Sequence, residues 1–187
     1  MLLPNWFWWL FPGTVEPYRP ERVNPTSYDL TIDSHVILQV YHGKPLNKRG
    51  EVVGGFIYLD DGTRVPNLFL PGDSVLASTF EVLRVPRFVR LQGMLKSSVA
   101  REGLDHRTAL YIDPGFRGPV TLELSFHVPG RLVPYKPIIQ VEAHFVPTFS
   151  VYPGRYNDQR RPQPNLNPDI AFQAVYETPS LVHGTNG

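Results

Sequence analysis

The sequence predicts an all-β domain, a barrel or sandwich of the jelly-roll kind. Many short runs rich in Val, Leu, Phe and Tyr alternate apolar and polar residues, as strands with one buried face do. The 187 residues include 20 prolines and 15 glycines, which mark tight turns between short strands. We expect one domain at 16–150, preceded by an aromatic segment at 1–15 and followed by a polar, Pro-rich flexible tail at 151–187.

The clearest strand is "PVTLELSFHV", whose period of two separates an apolar face from a polar one. The apolar face holds Val120, Leu122, Leu124, Phe126 and Val128, and the polar face holds Thr121, Glu123, Ser125 and His127. The segment "SSVAREGL" predicts a short helix with Ser97 or Ser98 as its N-cap and Gly103 at its C-terminal end.

Composition restricts the function classes. A formal net charge of +1 gives no general attraction to nucleic acid or to an anionic membrane. The absence of cysteine excludes disulfides and thiolate metal sites and is compatible with a reducing cytosol, so we expect a cytoplasmic protein. The opening "MLLPNWFWWLFPG" lacks a basic leader and is too short to span a bilayer. Its aromatic residues are expected to pack on the body or on a neighbouring subunit.

Two polar positions allow both a structural and a chemical interpretation. Glu123 lies in mid-strand, where a solvated outer face is the ordinary interpretation and a partly desolvated proton carrier is the functional one. The run "KSSVAR" sits at a strand-to-helix junction, where it serves as a helix cap or as a site for an anion.

Two later segments are equally open. Asp113 in "IDPGFRG" either initiates a turn or binds a sugar hydroxyl or water. The tail "YPGRYNDQRR" is either a disordered polar segment or a flexible strand that folds over a polyphosphate.

Taken in order, these segments resemble the deoxycytidine triphosphate (dCTP) deaminase family of the deoxyuridine triphosphatase-like (dUTPase-like) superfamily. The similar stretches are "VNPTSYDLTI", "LPGDSVLASTFEVLRVP", "GMLKSSVAREGL", "HRTALYIDPGFRGPVTLEL" and "YPGRYNDQRRPQP", spanning roughly residues 16 to 165. The resemblance implies a dUTPase-like distorted jelly-roll β-barrel with few short helices. It also implies a closed homotrimer with active sites between subunits and a C-terminal tail that acts as a lid.

The resemblance also implies residue roles. Glu123 matches the general acid/base, and Ser97 and Arg101 match residues that steer the reacting water. The other positions match nucleotide-binding residues: Lys96 and Ser98 (triphosphate), Asp113 (sugar 3′-hydroxyl), Ala109 (backbone contact to the base), Thr121 and Leu122 (base), Gln140 (nucleotide), and Tyr152, Arg155 and Gln159 (tail clamp on the triphosphate). Mg²⁺ is expected on the triphosphate and no zinc in the site, since the thiolate zinc ligands of other cytidine deaminases are missing.

The implied activity is metal-independent hydrolytic deamination of dCTP to dUTP and ammonia in dTTP biosynthesis, which makes the protein a hydrolase acting on a cyclic amidine. The alternative is a bifunctional deaminase–triphosphatase, or a dUTP diphosphatase, that yields dUMP and pyrophosphate. A non-catalytic nucleotide sensor is the third hypothesis. Tyr111 stands where enterobacterial-type members carry arginine, and Leu110 where others carry His or Gly. These departures leave base specificity open, including a modified cytosine.

Overall fold

The computed structural model describes residues 1–107, 110–148, 150–167, 170–172 and 174. Within these residues the chain forms fourteen strands and two short α-helices, so the all-β prediction is confirmed. The strands are β1 (Leu2–Leu3), β2 (Val15–Glu16), β3 (Ser27–Tyr41), β4 (Lys44–Val53), β5 (Phe56–Leu59), β6 (Arg64–Pro66), β7 (Ser74–Thr79), β8 (Val82–Arg84), β9 (Val89–Leu95), β10 (Leu104–His106), β11 (Tyr111–Ile112), β12 (Arg117–Gly118), β13 (Thr121–Phe126) and β14 (Pro137–Phe145). The helices are α1 (Trp6–Leu10) and α2 (Ser97–Ala100), and the 3₁₀ turns are Pro12–Thr14 and Pro20–Arg22.

The long strand β3 connects the two halves of the main sheet. Its first residues pair antiparallel with β14, which also pairs with β9. Its later residues pair with β7 and β4, and β7 pairs in turn with β13. The order β10-β13-β7-β3-β14-β9-β11 therefore runs through β3, while β12, β8 and β2 form a separate three-stranded sheet.

The inner faces of these strands form one hydrophobic core. On β13 the predicted alternation is observed: Leu122, Leu124 and Phe126 are buried. Phe126 stacks on Phe69 with ring centroids 4.2 Å apart, which joins the end of β13 to the loop before β7. Val128 departs from the prediction because it lies beyond the end of β13 and is 46% exposed.

The N-terminal aromatic segment is divided between core and surface. It forms helix α1, in which Phe7 and Trp8 are fully buried and Trp8 packs on Tyr28 of β3 at 5.4 Å between centroids. Burying a side chain such as Phe7 contributes about 2 to 3 kcal/mol. Trp6 and Trp9 remain largely exposed, so the expectation of packing on the body holds for part of the cluster. No helix in the described residues has the length and apolar character needed to cross a membrane.

Helix α2 is shorter than the sequence predicts and begins differently. Lys96 is its N-cap, and no side chain caps the helix. The N–H of Lys96 still donates to the Ile138 carbonyl, so the chain leaves the sheet at Lys96 and both serines fall inside the helix. The prediction of a serine cap is therefore wrong. Gly103 has a φ of +83°, which agrees with its predicted place at the helix end.

Glu81 fixes the point where β3 changes partners. Its buried carboxylate accepts hydrogen bonds from the N–H and from the hydroxyl of Thr31, both at 2.8 Å. The N–H of Phe80 donates to the Thr31 carbonyl at 2.9 Å, so Thr31 is held at three atoms. Burial raises the pKa of the Glu81 carboxyl above its ordinary value of 4.5, against the opposing effect of the two hydrogen bonds from Thr31.

Replacing Glu81 with Gln should make stability less dependent on pH. Because its pKa is raised in the folded state, the protonated carboxyl favours folding fully below about pH 4.5, and this contribution is lost as the pH rises through the folded-state pKa. The amide does not titrate, so the variant should gain stability relative to the wild type across that window. Denaturant unfolding measured over this window checks the result, with the exposed Glu21→Gln as control. Parallel pH curves for Glu81→Gln and the wild type would contradict it.

Candidate active site

Strand β13 holds Glu123 on the polar face of the central sheet. Glu123 pairs with Leu76 of β7, and the chain N–H of Arg107 donates to the Glu123 carbonyl at 3.1 Å. Its side chain is 31% exposed, between the fully solvated and the buried state. Pairing with β10 on one side and β7 on the other fixes the backbone position of Glu123, which a group that transfers protons requires.

Glu123 opens into a pocket of about 420 Å³ that brings several of the sequence-predicted residues together. Its walls include Asp113, Thr121, Glu123, Tyr152 and Gln159. Two carboxylates thus face one cavity large enough for part of a nucleotide. No Lys or Arg lines this pocket among the residues that the structure describes.

His106 is a site residue that the sequence analysis missed. It is 3% exposed, and its Nε2 lies 3.4 Å from Oε2 of Glu123. In the described chain neither atom has a hydrogen-bond partner, so the two meet in a buried contact without the geometry of a hydrogen bond. The contact follows from the pairing of β10 with β13, in which His106 lies opposite Leu124. The ring therefore packs against the candidate catalytic carboxylate.

Asp113 follows β11 and stands at a turn. Its carbonyl accepts a hydrogen bond from the N–H of Phe116 at 3.2 Å, and Gly115 within the turn has a φ of +84°. The turn interpretation of Asp113 is therefore observed for the backbone. Its side chain lines the pocket as well, so the two interpretations are compatible.

The C-terminal tail lies over the pocket. The N–H of Tyr152 donates to the Pro114 carbonyl at 2.7 Å and that of Asp158 donates to the Arg117 carbonyl at 2.7 Å. Nearer to Glu123, the side-chain amide of Gln159 donates to the Pro119 carbonyl and, at 3.4 Å, to the Thr121 hydroxyl. The same hydroxyl accepts from the N–H of Gln163 at 3.2 Å.

The serine segment lies elsewhere in the chain. Ser98 lines a second pocket of about 610 Å³ beside the end of β13, and Ser97 and Arg101 are exposed. Nζ of Lys96 donates to the carboxylate of Asp29 at 2.5 Å. Within one chain the described walls of the pocket that contains Glu123 include none of these four residues: Lys96, Ser97, Ser98 and Arg101. Their roles stay predictions.

The remaining predicted residues are spread over the main sheet and the tail. Gln140 pairs with Asp29 and Met94 in mid-sheet, and Leu122 points into the core. Arg155 donates from Nη1 to the Leu166 carbonyl at 2.9 Å. Ala109 lies outside the described residues.

The two departures from the expected pattern occupy different environments. Leu110 is buried over Gly93, where an added Cβ would come within 1.8 Å of the leucine Cδ2. Tyr111 is 60% exposed at the rim of the pocket, and the Arg90 guanidinium lies 4.8 Å from its ring centroid. Leu110 thus packs on Gly93 and also lines the pocket that contains Glu123, whereas Tyr111 lines the same pocket from its exposed rim.

Comparison with known proteins decides the family. A family model described as dCTP deaminase-like matches residues 13–142. The chain belongs to the dCTP deaminase-like family. A relative from Acidothermus cellulolyticus named "dCTP deaminase, dUMP-forming" is 36% identical over 171 residues, covering 81% of this chain and 85% of the relative. A relative of the same name from Nanoarchaeum equitans is 32% identical over 146 residues, covering 68% of this chain and 74% of the relative.

A solved structure supports the same fold. The 2'-deoxycytidine 5'-triphosphate deaminase from Agrobacterium tumefaciens superposes with a TM-score of 0.56 at 19% identity. The match covers 77% of this chain and 48% of that chain, so this chain spans about half of the longer protein. The membership and fold expected from the sequence motifs are confirmed. In the described part of the chain, no group of three or more His, Cys, Asp and Glu side chains is placed to hold a metal ion.

Replacing Thr121 with Val should loosen the tail of this dCTP deaminase-like domain. The change keeps the shape of the side chain but removes the oxygen that accepts from Gln159 and Gln163. Losing a hydrogen bond worth about 1 kcal/mol predicts roughly fivefold faster amide exchange near Gln163. Hydrogen–deuterium exchange by mass spectrometry measures it. Ser125→Ala is the matched control because Ser125 shares the strand face but contacts Arg107. Unchanged exchange near Gln163 in Thr121→Val would refute the contact.

Proposed function

We propose that the protein deaminates dCTP and then hydrolyses the resulting dUTP to dUMP and pyrophosphate in the same site. The observation that carries this proposal is the single pocket lined by both Glu123 and Asp113, because each step needs a carboxylate to handle water. The relatives from Acidothermus and Thermobifida, named as dUMP-forming enzymes, favour this two-step reaction over deamination that stops at dUTP.

Glu123 serves the first step. Its carboxylate takes a proton from water as the oxygen attacks C4 of cytosine, and it returns a proton to the amino group, which leaves as ammonia. The half-buried setting of the side chain on β13 suits this role, since it limits water around the carboxylate while leaving one side open to the pocket. Thr121, two residues earlier on the same face, lines the same pocket, which supports its assignment to the base.

Asp113 serves the second step. Its side chain orients the sugar and takes a proton from a water molecule that attacks the α-phosphorus. The bond from this phosphorus to the bridging oxygen breaks, and pyrophosphate departs. The turn at Gly115 holds this carboxylate at the pocket wall. The triphosphate would bring Mg²⁺ with it, in keeping with the preference of this ion for phosphate oxygens, waters and few protein ligands.

A second copy of the chain completes the site. A nucleoside triphosphate carries several negative charges, yet the described walls of the pocket contain no cationic side chain. Ser97, Ser98 and Arg101 are accessible at another surface of the chain, where they can enter a neighbour's pocket. A homotrimer that pairs these surfaces supplies hydroxyl and cationic groups to each triphosphate.

The tail is the lid of this site. Tyr152 and Gln159 already line the pocket through contacts that each consist of one or two hydrogen bonds. Such a segment can open and close without disturbing the sheet below it. Arg155 is the tail's cation for the triphosphate once its contact with the Leu166 carbonyl is released.

Product analysis tests the proposed reaction. Purified protein is incubated with dCTP and Mg²⁺, and ammonia, dUTP, dUMP and pyrophosphate are quantified over time. Equal amounts of ammonia, dUMP and pyrophosphate support the two-step reaction. Accumulating dUTP with ammonia would establish deamination alone, and dUMP from added dUTP without ammonia from dCTP would establish a diphosphatase. Binding of dCTP without any product would leave the nucleotide sensor.

Replacing Glu123 with Gln should lower ammonia release from dCTP by at least about 10²-fold, because general acid–base catalysis contributes on this scale. The amide retains the size of the side chain, so dCTP should still bind in isothermal titration. Glu21→Gln, an exposed glutamate outside the pocket, is the control and should release ammonia like the wild type. Ammonia release by Glu123→Gln at the wild-type rate would remove Glu123 from the mechanism.

Replacing His106 with Ala should lower kcat for ammonia release by about 10- to 100-fold, because an unsupported Glu123 is misplaced relative to the reacting carbon. KM should change little, as His106 does not line the pocket. His106→Gln restores a polar group behind the carboxylate and should recover part of kcat. Circular dichroism checks that both variants fold. Equal kcat for wild type and His106→Ala would show that the contact is structural only.

A further inference from the structure

We propose that Arg90 and Tyr111 form a phosphate subsite beside Asp113, which binds the phosphate attached to the sugar. This subsite deepens the proposed function and rests on it for the orientation of the nucleotide.

The pairing of β9 with β11 creates the arrangement. Tyr111 lies opposite Gln92, and Arg90 precedes Gln92 by two residues on the same face. The guanidinium stands over the phenol ring at 4.8 Å from its centroid, a cation–π distance, and Nη1 donates to Oε1 of Gln92 at 3.4 Å. The ring and the amide therefore hold the guanidinium at the pocket rim.

A cavity lies in front of this pair. It measures about 310 Å³, and its walls include Arg90, Tyr111, Asp113, Thr148, Ser150 and Tyr152. Tyr111, Asp113 and Tyr152 also line the pocket that contains Glu123, so the two cavities are adjacent. Arg90 lines the smaller cavity and is the one cationic side chain in the described walls of the two cavities taken together.

The charges around Arg90 leave its guanidinium available to an anion. On β14, His144 is its direct partner across the sheet and Glu142 lies two residues away, with its carboxylate 3.4 Å from Nε2 of His144. Within the described residues no carboxylate forms an ion pair with Arg90. An arginine held flat by an aromatic ring presents parallel N–H donors that match the oxygens of a phosphate.

The position of the subsite selects the phosphate. The proposed reaction assigns the base to Glu123 and the sugar to Asp113, and the cavity at Arg90 shares Asp113 but not Glu123 with the larger pocket. Among the phosphates of the nucleotide, the one attached to the sugar is nearest to a sugar held at Asp113, so we assign that phosphate to the cavity at Arg90. The ligand class is therefore a 5′-phosphorylated deoxynucleoside, and Arg90 stands beside the phosphorus at which dUTP is cleaved.

Binding of dCMP and of deoxycytidine tests the subsite directly, since these ligands differ only in the phosphate. Titrations use the full-length wild type, Arg90→Gln, Arg90→Lys and the control Arg87→Gln, an exposed arginine that lines neither cavity. Arg90→Gln should bind dCMP about 10- to 100-fold more weakly, the range of a charge-assisted hydrogen bond, and deoxycytidine as the wild type does. Arg90→Lys should bind dCMP with an affinity between those of the wild type and Arg90→Gln, because lysine keeps the charge without the planar guanidinium.

Three results would overturn the subsite: equal losses for dCMP and deoxycytidine in Arg90→Gln, no loss for dCMP, or wild-type binding of dCMP no tighter than that of deoxycytidine. The product assay on the wild type separates this proposal from the reaction. If the wild type forms dUMP and Arg90→Gln binds dCMP normally, the proposed reaction is supported and the subsite is refuted. If Arg90→Gln selectively loses dCMP binding but the wild type shows no turnover, the subsite is supported and the proposed reaction is refuted.

Discussion

The switch of partners along β3 is the constraint on which the rest of the structure depends. One continuous strand pairs with β14 at its beginning and with β7 and β4 at its end, so a change at the switch would displace both halves of the sheet. Thr31 marks that switch, and Glu81 holds it with two buried hydrogen bonds. Ile32, the next residue, is fixed as well. Its N–H donates to the Lys136 carbonyl, and the Ile32 carbonyl accepts from the N–H of Tyr135.

The candidate site inherits its geometry from that strand. β7 is aligned by β3, and β13 is aligned by β7, so Glu123 lies two strands away from β3 in a continuous ladder. By contrast, Asp113 lies on a turn, and the tail is attached to the pocket by single hydrogen bonds. The molecule thus separates the paired strand that carries the candidate carboxylate from pocket walls that are attached by few hydrogen bonds.

Periodicity in the sequence predicts which side chains of a single strand face the core and which face outward. The alternation along "PVTLELSFHV" places Leu122 and Leu124 inside and Glu123 outside, as observed. It cannot predict His106 beside Glu123 or Arg90 over Tyr111, because each contact depends on the register between two strands. The serine cap failed for a related reason: the hydrogen bond of Lys96 to Ile138 moves the helix start, and that bond comes from a distant strand.

The hydroxyl of Thr121 has a consequence for any measurement of affinity. It accepts from Gln159 and from Gln163, so the tail occupies part of the candidate site, as a tethered ligand would. An incoming molecule that reaches Thr121 competes with a segment whose local concentration is high because it is covalently attached. For a ligand that reaches Thr121 in the proposed site, the apparent dissociation constant would exceed the intrinsic one by the factor needed to displace the tail. Shortening the chain would change binding even where the removed residues never touch the ligand.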